Sequence, residues 1–140
     1  MNENVGYHNI GRCTYMTQYH VIWCPKFQYG IWDDTRKSRL KEILEDVCQT
    51  YHYEIKELEI TSDHIHIYVD VPYTVAPCDV ARTLRSRSAV RMLHKDLDLR
   101  KIYQYYGAVW SHGYFITSEK EVSEEIMTEY IQEESKYCIK

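Results

Sequence analysis

The sequence has no apolar window approaching the roughly 20 residues needed to cross a bilayer, and its first twelve residues lack the apolar run of a secretory signal. No membrane partner is expected, and the expected location is the cytoplasm. A Cys-x-x-Cys pair is also absent. The five cysteines, Cys13, Cys24, Cys48, Cys78 and Cys138, are odd in number and widely spaced, which supports neither a zinc knuckle nor a disulfide framework. Repeats, linkers and low-complexity stretches are missing too, so the 140 residues are expected to form a single domain, 1–140.

A positive net charge is lacking as well. The formal charge is -4, which as a sum argues against a nucleic-acid partner, because phosphate binding draws on clustered Lys and Arg. The distribution reverses that argument. Between positions 82 and 101 stand Arg82, Arg85, Arg87, Arg91, Lys95, Arg100 and Lys101 against Asp96 and Asp98, whereas positions 119–134 carry seven glutamates and one lysine. One surface can be basic while the whole is acidic.

Residues 14–24, rich in Tyr, Val, Ile, Thr and Trp, read as a first strand that stops at Pro25, where the ladder would lose an N–H. Leu40, Ile43, Leu44, Val47 and Tyr51 recur at helical spacing, which predicts a helix over 36–51. Two strand-like runs, 53–60 and 64–71, are joined by a short polar link suited to an antiparallel hairpin. Asp79 is the expected N-cap of a second helix reaching Lys95, with Ala81, Leu84, Ser88 and Met92 inward. A last strand over 108–117 should lead into an acidic helix over 118–136, for which Ser118 and Glu121 have the form of a capping box. The order β-α-β-β-α-β-α implies an α+β fold of ferredoxin-like or RRM-like type, an antiparallel sheet with helices on one face.

His64-Ile65-His66 lies in an alternating strand, so both imidazoles share a face with Cα atoms about 6.6 Å apart. They can meet one ion, or they are two histidines on a half-exposed strand. Tyr130 and Glu134 lie one helical turn apart on one face. A helix docked across the histidine strand would bring a phenol and a carboxylate to such an ion; alternatively Tyr130 packs on the sheet and Glu134 is solvated. A catalytic tyrosine has a clear physical need. With a pKa near 10, its ionisation at pH 7 costs about 4 kcal/mol, which a cation at the scissile phosphate and basic side chains would offset. Two imidazoles and a carboxylate leave positions open for Mg or Mn. His94 and His112 have no partner at ligand spacing and read as structural or surface residues. Tyr103, Tyr105, Tyr106 and Trp110 could stack on bases or fill the core.

Four ordered markers carry a family resemblance: Tyr19-His20-Val21-Ile22-Trp23-Cys24-Pro25-Lys26, Ser62-Asp63-His64-Ile65-His66, Trp110-Ser111-His112-Gly113-Tyr114-Phe115, and Tyr130-Ile131. Together they resemble the HUH-type single-tyrosine (TnpA) transposases of small insertion sequences that move as single strands. The resemblance implies a C-terminal helix carrying the catalytic Tyr130, a divalent metal, Mg or Mn, held by His64, His66 and Glu134, and cleavage and rejoining of single-stranded DNA with hairpin ends through a 5'-phosphotyrosine link. It also implies a homodimer in which the tyrosine helix of one subunit can serve the histidines of the other. Lys26, Arg82, Arg85, Arg87 and Arg91 are the DNA-contact candidates. Two departures stand out: Glu134 replaces the usual Gln, and Phe27-Gln28-Tyr29 follows Lys26 where basic residues are common. Competing readings are a non-catalytic single-stranded nucleic-acid binder and a domesticated HUH nickase acting on repeat hairpins.

Overall fold

The computed structural model describes residues 6–28 and 30–139. Tyr29, the start of the N-terminal stretch and the side chain of Tyr106 lie outside the described residues.

A short antiparallel hairpin, β1 (His8–Ile10) and β2 (Cys13–Tyr15), turns at Gly11, whose φ of 56° favours glycine. The expected first strand is therefore divided, and its main part is β3 (Gln18–Trp23). Helix α1 (Asp34–Thr50) is capped by Asp33, which accepts the Arg36 N–H, and it buries Leu40, Ile43, Leu44, Val47 and Cys48. Strands β4 (Glu54–Ile60) and β5 (Ile65–Asp70) form the expected hairpin.

Helix α2 (Pro77–Lys95) starts earlier than expected. Pro77 takes the first position, where its missing N–H costs nothing, so Ala76 is the cap and Asp79 lies inside the first turn, paired with Arg82. The inward residues Ala81, Leu84, Ser88 and Met92 are buried as expected, with Val80 beside them. A helix not expected from the sequence follows at once. Asp96 caps α3 (Leu97–Tyr106) by accepting the Leu99 N–H, and Gly107, at a φ of 101°, ends it.

The expected last strand is shortened to β6 (Phe115–Thr117). An isolated bridge between Pro25 and Trp110, with the Lys26 N–H on the Val109 carbonyl and the Ser111 N–H on the Cys24 carbonyl, continues it, while residues 112–114 leave the ladder and Gly113 meets a side chain described below. Helix α4 (Glu124–Ser135) also begins later than expected, with Ser123 rather than Ser118 as its cap: Ser123 accepts the Ile126 N–H, and the carbonyl of Lys120 is bound by the His20 ring instead of a helical N–H.

The main sheet is antiparallel in the order β4-β5-β3-β6, the ferredoxin-like arrangement. Val21, Trp23, Ile65, Ile67 and Val69 point into a core shared with the buried stripes of α1 and α2, and with Leu99 and Tyr103 of α3. The alternate residues point to the other face, where α4 docks: its Tyr130 ring meets Phe115 of β6 at 5.7 Å between centroids.

Candidate active site

One row of residues crosses the sheet on the face away from α1 and α2. Glu59 of β4 pairs with His66 of β5, His66 with Ile22 of β3, and Ile22 with Phe115 of β6. Directly paired residues share a face. Strands lie about 4.8 Å apart, so the histidine strand stands about 10 Å from the strand on which Tyr130 rests. Phenol and imidazoles therefore lie on the same side of the sheet, with Ile22 of β3 standing between His66 and the Phe115 on which Tyr130 rests.

Both nitrogens of His64 and one nitrogen of His66 are engaged. His64, at the entrance to β5, has Nε2 2.8 Å from Glu59 Oε1 and Nδ1 2.8 Å from Asp63 Oδ1, with the Thr61 hydroxyl 2.9 Å from the same nitrogen. His66 Nε2 lies 2.8 Å from Nδ1 of His20, whose Nε2 reaches the Lys120 carbonyl at 2.9 Å. Burial first, and then His20, hold the His66 pKa below the ordinary histidine range, against the pull of Glu59 and Glu57.

Tyr130 has a buried hydroxyl with no hydrogen-bond partner. Burial pushes its pKa well above the ordinary tyrosine value, Glu134 and Cys24 add to the rise, and Arg85 works against them. Cys24, beneath it on β3's continuation, is itself pushed up to about 12 by burial. One turn on, Glu134 points to the backbone rather than to the histidines. Its Oε1 accepts the Ser111 hydroxyl at 2.8 Å and the Gly113 N–H at 3.0 Å. Within one chain, the expected convergence of Glu134 with His64 and His66 does not occur. Among the described residues no three His, Cys, Asp or Glu side chains form a metal-holding group. The donor chemistry nevertheless suits a divalent ion: two imidazoles on one face, with the Glu59 and Asp63 carboxylates within hydrogen-bond reach of His64.

The five basic candidates separate. Arg82 and Arg85 line a cleft of about 430 Å³ between α2 and residues 108–114, together with Trp110, His112 and Tyr114. The Arg85 guanidinium lies 5.3 Å from the centre of the Tyr114 ring and donates to the Ser111 carbonyl, while its Nε is buried without a partner. Burial lowers its pKa, and Tyr130, Tyr114 and Glu134 oppose that. Arg87 is exposed, and Arg91 faces α1, 3.8 Å from Asp46. Lys26 is tied to the end of the tyrosine helix, donating to the Tyr137 carbonyl at 2.8 Å, a cation at a helix C-terminus. Of the aromatic candidates, Tyr103 and Trp110 are core residues and Tyr105 is exposed. His94 and His112 are exposed, as expected of surface residues.

Sequence reasoning missed His20, Glu59, Ser111 and Gly113 as neighbours of the site. For Glu59 a signal existed, since a hairpin closed at 61–63 places it across from His66. For Ser111 and Gly113 there was none, because their link to Glu134 spans 23 and 21 positions.

The family profile described as "Transposase IS200 like" matches residues 13–134. The ISDra2 transposase TnpA of Deinococcus radiodurans is 27% identical over 118 residues, covering 84% of each chain. The transposase for insertion sequence element IS200 of Salmonella typhimurium is 23% identical over 99 residues, 71% of this chain and 64% of that protein. Among solved structures, a Deinococcus radiodurans crystal structure assigned as a transposase superposes with a TM-score of 0.77 at 24% identity, covering 95% of this chain and 98% of the other. A REP-associated tyrosine transposase bound to a REP hairpin superposes with a TM-score of 0.53 at 10% identity, covering 89% and 68%. No described helix is long and apolar enough to cross a membrane. With the profile spanning nearly the whole chain and its fold shared with solved transposases, the chain belongs to the IS200-like transposase family of DNA-processing enzymes.

Proposed function

We propose that the protein cleaves and rejoins single-stranded DNA by transient attachment of the strand to Tyr130. The observation that carries this reading is the Tyr130 hydroxyl. It is buried on the histidine face of the sheet with no hydrogen-bond partner, where a purely structural tyrosine would have found one.

In the proposed reaction the phenolic oxygen forms a bond to the scissile phosphorus, the bond from phosphorus to the 3' oxygen breaks, and the phenolic proton is replaced on the leaving 3' oxygen. The product is a 5'-phosphotyrosine and a free 3'-hydroxyl, and attack of a 3'-hydroxyl on that link restores the phosphodiester. Arg85 is the cation that favours the phenolate. With Arg82, Trp110 and Tyr114 it lines a cleft suited to a phosphate and an unpaired base.

His64 and His66 would hold a divalent ion, Mg or Mn, which when bound supplies positive charge to the scissile phosphate. Glu134 is held by Ser111 and Gly113 in its own chain. A homodimer in which α4 of one protomer serves the histidine pair of its partner would complete the ligand set, as the family resemblance implies. The proposed substrate is single-stranded DNA with hairpins at the element's ends.

The test is a cleavage assay on end-labelled hairpin single strands from the parent element's ends. Expected are a labelled protein adduct with Mg or Mn, its loss in EDTA, and its loss in Tyr130→Phe with DNA binding retained. Salt-sensitive binding that is indifferent to EDTA, with no cleavage of any end sequence, would instead establish a non-catalytic single-strand binder.

A further inference from the structure

His20 is a buried polar residue that the reaction above does not use. It is 3% exposed, and its ring stacks on Tyr68 with centroids 3.8 Å apart and planes 1° from parallel. Both nitrogens are engaged, Nε2 with the Lys120 carbonyl at 2.9 Å and Nδ1 with His66 Nε2 at 2.8 Å.

Those two contacts fix the protons. A carbonyl oxygen only accepts, so His20 Nε2 carries a hydrogen. A neutral ring with its hydrogen on Nε2 has its lone pair on Nδ1, so the 2.8 Å contact is donated by His66 Nε2–H. A neutral imidazole has one N–H, so the free lone pair of His66 is on Nδ1.

We propose that His20 is a positioning residue for the metal ligand His66. Braced by the Lys120 carbonyl and the Tyr68 ring, it accepts the Nε2 proton of His66, fixes that tautomer and presents Nδ1 to the ion. This rests on the reading of His64 and His66 as metal ligands. Ligating histidines gain orientation and basicity from such an outer hydrogen bond, and here the outer partner is another histidine. Lys120 lies in the segment leading to α4, so the same relay ties the histidine strand to the approach of the tyrosine helix.

The test uses the full chain. In the wild-type protein, imidazole nitrogen NMR should show His66 protonated at Nε2 and bare at Nδ1, and added Zn²⁺ should shift Nδ1 while Nε2–H persists. A His66 protonated at Nδ1, or metal shifts at Nε2, overturns the proposal and needs no variant. Mn²⁺ titration followed by electron paramagnetic resonance should show affinity about ten- to a hundredfold weaker in His20→Phe. His20→Gln, whose amide can accept from His66 and donate to Lys120, should restore most of it. Binding that needs His64 but is unchanged in His20→Phe overturns the positioning role alone. Binding unchanged in His64→Ala overturns the metal site, and with it the role of His20.

Discussion

Gly113 and Glu134 approach more closely than any other residue at position 113 would permit. The Gly113 N–H donates to Oε1 at 3.0 Å, and a Cβ at that position would stand 2.5 Å from Oε2. Gly113→Ala should therefore push the carboxylate, the far end of a flexible side chain, off its two donors, costing about 1 kcal/mol in lost hydrogen bonds. Urea unfolding checks this; an unchanged midpoint would mean that the carboxylate finds equivalent partners after it moves.

Two substitutions on α4 should move stability in opposite directions. Tyr130→Phe removes a buried hydroxyl that has no partner, so the protein should be as stable as wild type or more stable by about 1 kcal/mol. Glu134→Ala leaves the Ser111 hydroxyl and the Gly113 N–H without their acceptor, which should cost about 1–3 kcal/mol. Thermal melts of both variants decide this; a destabilised Tyr130→Phe would reveal a hydrogen bond that the phenol makes in solution.

Expectations that depended only on local period are the ones the fold upholds. The alternation around His64-Ile65-His66 put Ile65 and Ile67 in the core, and the Leu40, Ile43, Leu44, Val47 stripe formed the buried side of α1. Expectations decided by distant partners went astray. Ser118 lost the capping role to Ser123 because the preceding loop is held by His20, a hundred positions away. Residues 112–114 left their strand where the Gly113 N–H was claimed by Glu134, whereas the Ser111 N–H still reaches the Cys24 carbonyl. Helix α3 was hidden by the single residue Asp96 that separates it from α2, which ends one helix and caps the next. The basic run around α2 did not become one patch, since a helix turns Arg91 toward Asp46 and Arg82 toward the cleft.

Asp96 gives a pH-dependent prediction. Burial raises its pKa, but the hydrogen bonds from Arg36 and the Leu99 N–H outweigh burial, and the net shift is downward. A depressed carboxyl stabilises the fold above its unfolded pKa of about 3.9 and loses that contribution as pH falls through the lower folded value. Asp96→Ala should cost about 3 kcal/mol at pH 7, because it leaves Arg36 half-buried without its partner. The gap from wild type should narrow below pH 4. A gap constant down to pH 2 would show that packing, not charge, is lost.

Tyr130 should titrate late. With burial, Glu134 and Cys24 all raising its pKa, the ultraviolet difference between wild type and Tyr130→Phe should show no phenolate from this residue at pH 10, where an ordinary tyrosine is about half ionised. Arg85→Gln removes the opposing cation and should delay the signal further. A Tyr130 phenolate visible below pH 10 in the free protein would contradict the placement of the ring.

Tyr130 is the proposed attacking group. The direct measurement is mass spectrometry of the protein after incubation with Mg and hairpin single-stranded DNA from the element's ends, followed by digestion to locate the added nucleotides. The expected result is a phosphodiester to the oxygen of Tyr130, absent in Tyr130→Phe. A DNA adduct on any other residue, or strand cleavage that persists in Tyr130→Phe, would contradict it.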